Sequence, residues 1–176
     1  MRTARVILLM FLLVGCNSGA RERQAQALLS DANKLLARDT KVTEQWSNEF
    51  VKVFTPKNRA QFPANRDFLR TGATQIIKLL DESSGLNNSA ADKFELAAGL
   101  SRNDQQRRGM NSFASAFRKS VEENELLKAQ MQMVSDESLV DEKIFNAKFS
   151  QSWELIQQKH RERDLQIQEG KRLLGW

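Results

Sequence analysis

Apolar side chains recur at steps of three and four residues through almost the whole of this chain, a spacing that suits helices and little else. From Ala25 the series Leu28, Ala32, Leu35, Val42, Trp46 and Val53 follows it, with Leu29, Leu36 and Phe50 alongside and interruptions at Asp39 and Glu49. At 1.5 Å per residue this predicts one helix about 50 Å long. Only two prolines occur in 176 residues, Pro56 and Pro63, and the residue before each is pushed out of the helical region. The first helix therefore stops there. Eight glycines and no tyrosine, against abundant Ala, Gln, Glu, Lys, Leu and Arg, argue against a sheet protein.

Further along, residues 65–82 read as a second helix with Leu69, Gly72, Ile76 and Leu79 on one stripe and Asn65 as its N-cap. Ser83-Ser84-Gly85 followed by Asn87-Asn88 reads as a turn. Ser89 then opens a third segment carrying Phe94, Ala97, Ala98 and Leu100. Residues 102–108 hold no apolar side chain, and the periodicity resumes at Met110, Phe113, Phe117, Val121, Leu127, Met131 and Val134. Either one long helix leaves the bundle briefly or two helices meet there; with no proline between the two parts, one continuous helix is the preferred reading. Ser138, with Asp141 and Glu142 behind it, reads as the cap of a final helix that carries Phe145, Phe149, Trp153, Ile156, His160, Ile167 and Leu174. The expected fold is all-α, an antiparallel up-and-down bundle of about four unequal helices, packed in coiled-coil fashion, with the last two forming a long projecting hairpin.

The N-terminus follows different rules. Arg2 and Arg5 precede an unbroken apolar run over 6–14, far short of the roughly 20 residues a spanning helix needs. The run ends in Leu13-Val14-Gly15-Cys16, which contains the only cysteine, so no intramolecular disulfide can form. This tetrapeptide resembles the lipobox of bacterial lipoproteins, and the resemblance covers the first 16 positions. It implies that residues 1–15 are a cleaved signal peptide, that Cys16 carries the lipid (palmitate among its acyl chains), and that residues 16–20 are a tether. Residues 21–176 are then a single helical-bundle domain. Asn17 rather than Asp follows the cysteine, which in that family implies an outer-membrane anchor with the body in the periplasm, where the cell has two membranes. Ordinary secretion with cleavage after Ser18-Gly19-Ala20 is the alternative. One acyl chain holds a protein only marginally, while two or three anchor it stably, so the body needs no further membrane-binding surface to remain attached.

Loss of residues 1–15 removes Arg2 and Arg5 from 27 bases and leaves 22 acids, a formal charge of +3 that argues for no nucleic-acid partner. The charge is unevenly placed. Residues 99–120 hold five bases and one acid, and residues 121–142 hold one base and seven acids. Arg102, Arg107, Arg108, Glu122, Glu123 and Glu125 are accordingly the candidate interaction patch, whose simpler reading is a solvated face. If the chain leaves the membrane and reverses three times, the acidic turn before the last helix points away from the bilayer.

Catalytic motifs are lacking. With one His and one Cys there is no Cys-His pair on the body, no histidine-rich metal site, no haem attachment motif and no Glu-x-x-His for a di-iron bundle. His160 and Arg163 fall near the apolar stripe of the last helix and are expected as a buried polar pair packed at the core or its rim. Trp46, Phe50, Phe117 and Trp153 read as core. The expectation is therefore a non-enzymatic lipoprotein without cofactor or metal. It is tied to the membrane by its acyl chains and meets another envelope protein through its helix faces. A carrier of lipid or small hydrophobic ligands, or a periplasmic holdase chaperone, is the alternative, and a homo-oligomer is left open.

Overall fold

The computed structural model describes residues 19–175, and all regular structure among them is helical. Helix α1 spans Ala20–Val53, the short α2 Pro56–Arg59, α3 Arg66–Leu100, α4 Asp104–Gln132 and α5 Glu142–Leu174, with a 3-10 turn Met133–Ser135 after α4. The expected signal peptide, residues 1–15, and the expected lipid attachment at Cys16 lie outside the described residues.

Local chemistry explains most of the ends. Phe54 closes α1, and Thr55 then accepts a bond from the Asn58 amide at 3.0 Å with Pro56 at the first position of α2. Asn103 accepts from the Gln106 amide at 3.0 Å and starts α4, while Asp141 does the same for Ile144 at 3.0 Å and starts α5. At its far end α5 stops at Gly175, whose φ of 76° suits a residue without a Cβ.

Several expectations about the layout need correction. The turn predicted at Ser83–Asn88 is absent, because α3 runs straight through it. The continuous helix predicted across residues 101–109 is broken instead at 101–103, where Asn103 caps the next helix. These two changes move one boundary, so the long helices hold 34, 35, 29 and 33 residues and are not the unequal set expected. Two caps also differ. Ser138 bonds backward to Asp136 Oδ1, through its amide at 2.9 Å and its hydroxyl at 2.6 Å, while Asn65 spends its amide group on the Asn58 carbonyl at 2.7 Å and makes no cap bond. Finally, the α4–α5 tip does not project. Phe145 stacks on Phe62 with ring centres 4.1 Å apart, Arg66 donates to the Leu139 carbonyl, and Leu139 and Phe145 are buried.

Helix α1 packs on α3, α3 on α4, and α4 on α5. Along each contact residue numbers rise on one helix as they fall on the other: Asp81 meets Lys128 while Asn88 meets Arg118, and Lys119 meets Glu162 while Gln130 meets the Phe149 carbonyl. Gly109 and Gly170 face each other across α4 and α5, with Leu174 and Phe113 in the space a Cβ would take.

The core falls into two parts. One joins Val53, Phe54, Leu69, Ile76, Leu80, Leu127, Met131, Phe145, Phe149 and Ile156; the other joins Leu29, Ala32, Ala90, Phe94, Ala97, Met110, Phe113 and Phe117. Trp46 and Phe50 are half-buried against the first. Trp153 stacks on Phe50 at 5.6 Å but remains 38% exposed, at the rim and not in the core. Between the two apolar parts lies a layer of polar side chains, contributed by all four long helices.

Candidate functional site

That layer follows from the helical repeat. On α3 the inward stripe reads Ile76, Leu80, Ser83, Ser84, Asn87, Ala90, Ala91 and Phe94, so three polar residues replace apolar ones within a single turn. On α4 the stripe reads Phe113, Phe117, Glu123, Asn124, Leu127 and Met131, with Glu123 and Asn124 at the same level. Asp39 reaches in from α1, and His160 and Arg163 from α5.

Each of these groups has a partner. The Ser83 hydroxyl donates to Asp39 Oδ1 at 2.6 Å, and the Asn124 amide group donates to the Ser83 and Ser84 hydroxyls at 3.0 and 3.2 Å. Asn87 donates to the Ser83 carbonyl at 2.9 Å. Arg163 Nη1 donates to Glu123 Oε2 at 2.9 Å. His160 Nδ1 sits 3.2 Å from Glu123 Oε1 and 2.8 Å from Arg163 Nη2, so it donates to the carboxylate when it bears the proton and accepts from the guanidinium when bare. Burial lifts the Asp39 carboxyl above its ordinary value, against the hydrogen bonds of Ser83 and Asn87 and the charge of Arg163. An unpaired buried polar group costs about 1–3 kcal/mol. A slip of one helix by a turn would place Ser83, Asn87 and Asn124 against the aliphatic residues above and below, so the layer selects the register of the four helices.

His160 and Arg163, read from the sequence as a pair, do meet, yet neither is fully buried: their side chains are 42% and 22% exposed, and the buried member is Glu123. Glu123 thus leaves the expected interaction patch for the interior. The rest of that patch is dispersed. Glu122 pairs with Lys159 at 2.9 Å, and Glu125 with Lys128 at 2.7 Å. Arg107 pairs with Asp104 on its own helix, and Arg102 and Arg108 are exposed at the start of α4. About 21 Å of helix separates Arg108 from Glu122.

Asp39, Ser83, Ser84, Asn87 and Asn124 were missed as a site. Their signal is present once residues 83–88 are read as helix, since the spacing from Leu80 to Ala90 is then unbroken. Among the described residues no group of three His, Cys, Asp or Glu side chains could hold a metal ion, and no helix is long and apolar enough to cross a membrane. An open groove of about 620 Å³ lies outside the layer, between α1 and α3, lined by Val53, Phe68, Gly72, Lys52 and Lys78 among others. Comparison with family models, with curated proteins and with solved structures finds no match to this chain.

Proposed function

We propose that this chain is a bacterial lipoprotein, anchored through Cys16 at the outer membrane, whose up-and-down antiparallel bundle is a non-enzymatic interaction or scaffold module of the cell envelope. One observation carries the interaction reading. Val140, Ile144, Leu155 and Leu165 are 68, 52, 50 and 70% exposed, and the last three follow one another along α5 at spacings of eleven and ten residues, which keeps them on one side of the helix within an arc of about 80°. Single exposed apolar residues are ordinary, but a line of them along one helix supports a face that another helix or a partner protein covers. The groups of the polar layer are spent on each other, and through Glu123 they tie α5 to α4 beneath that face.

Crosslinking tests the face. A photoreactive residue at Leu155 or Leu165, in cells, should give a discrete adduct that the same residue at the exposed Lys41 on α1 does not give. Adducts at none of the α5 positions would refute it. The anchor is tested separately by labelling with radioactive palmitate, which should mark the wild type and not Cys16→Ser.

A carrier is the second reading, and the groove between α1 and α3 favours it, with a volume in the range of ligand sites. Native mass spectrometry of the protein taken from membranes should then find a bound lipid that Phe68→Glu loses.

A further inference from the structure

The two ends of the bundle differ in charge. At one end lie the first turn of α1, the α3–α4 connection and the last turn of α5, brought together where Ala25, Leu28, Ala98, Leu100, Met110, Ile167 and Leu174 share a core. Residues 19–24, 101–108 and 168–175 there carry seven bases and three acids. At the other end, residues 54–67 and 133–143 carry four bases and five acids. The formal +3 of the chain without its first 15 residues is therefore concentrated at the end from which α1 starts.

We propose that this basic end seats on an anionic phospholipid surface and so sets how the rod stands on the membrane. The proposal rests on the lipid-anchored reading for its geometry: Gly19 is three residues from Cys16, a reach of at most about 10 Å at full extension. That is close to the Debye length of about 8 Å at physiological salt, so a chain anchored at Cys16 holds Arg21 within range of headgroup charge. The break at 101–103 falls at this end of the bundle and leaves Arg102, Arg107 and Arg108 exposed there. Intramolecular pairing leaves the surplus in place. Glu169 is matched by Arg172 at 2.7 Å and also faces Arg108, and Asp104 is matched by Arg107, so five bases remain against Glu22 and the surplus of four positive charges at this end is undiminished, with Arg21, Arg102, Arg108 and Lys171 among its carriers. Acyl chains alone supply attachment; the basic end supplies orientation and a preference among lipids.

The test places the full chain with two vesicle populations in one tube, one of phosphatidylcholine alone and one with about 30% phosphatidylglycerol, loaded so that they sediment apart. Whatever precedes Gly19 is common to wild type and variant, so comparing their distributions isolates the basic end. Wild-type chain should favour the anionic vesicles by about tenfold in about 0.05 M salt, and by less than about twofold in about 0.5 M salt. Arg102→Glu/Arg108→Glu, with unchanged circular dichroism, should lose the preference at both. An even wild-type distribution at low salt, or a preference that the variant keeps, overturns the proposal. Palmitate labelling separates the two readings: a labelled chain with no anionic preference removes this inference alone, and an unlabelled chain that keeps the preference removes only the lipid anchor.

Discussion

The Ser83 hydroxyl donates to Asp39 Oδ1 across 2.6 Å, tying α3 to α1 at the level where the apolar core is interrupted. Burial raises the Asp39 carboxyl above its ordinary 3.8, so the folded chain holds that proton more tightly than the unfolded one. A group of this kind stabilises the fold fully below its unfolded value, and the contribution is lost as pH rises through the folded value. Relative to Asp39→Asn, the wild type should therefore lose stability from about pH 4 upwards, and at neutral pH the variant should be equal to it or up to about 2 kcal/mol more stable. Thermal unfolding of both proteins across this range measures the difference; one that is flat, or that slopes the other way, contradicts the assignment.

Gly85 lies in the interior of α3 at an exposed position, with nothing within 4 Å of a Cβ built there. A helical glycine in open space destabilises by about 0.5–1 kcal/mol relative to alanine. Gly85→Ala should accordingly raise the unfolding temperature by about 1–4 °C. A loss of stability would instead favour the turn that Ser83-Ser84-Gly85 suggests from its residue types.

The opposite substitution pattern marks the true break. Because Asn103 accepts from the Gln106 amide at 3.0 Å, Asn103→Ala should cost about 1 kcal/mol in equilibrium denaturation. In an uninterrupted helix the same change would be neutral or favourable, since alanine is the better helix former.

What could be read in the sequence, and what could not, divides at these two places. The stripes from Leu28 to Val53 and from Phe145 to Leu174 are apolar through most of their length, broken only at Asp39 and Glu49 in the first and over 157–164 in the second, and local periodicity defines them without help from the rest of the chain. At Ser83, Ser84 and Asn87 the local preference is for a turn, and what keeps them helical is Asp39 and Asn124, 44 and 41 residues away from Ser83. Such partners are invisible to a window of one or two turns. The break at 101–103 did carry a local signal, Asn103 followed by Asp104 and by Gln106 three residues on, which is the pattern of a helix start. The absence of proline from this stretch says nothing about such a start, because a capped helix can begin without one. Glu123 looked like one more acid on a charged surface, and only the α4–α5 contact turns it towards Arg163.

Gly72 sits in α3 where Val53 crosses it from the end of α1, and a Cβ at that position would lie 2.5 and 2.6 Å from the two methyl carbons of Val53. Val53 is 2% exposed and β-branched, so it has little freedom to turn aside. The helix propensity gained by alanine, about 1 kcal/mol, is smaller than the strain of inserting a methyl group into a packed contact, about 1–3 kcal/mol. Gly72→Ala should therefore destabilise the fold, unlike Gly85→Ala on the same helix. Val53→Ala opens the space, and the double variant should be more stable than the sum of the two single changes allows, by at least about 1 kcal/mol in denaturant titrations. Simple additivity would mean that α1 and α3 separate there to admit the methyl, and that the crossing does not set their distance.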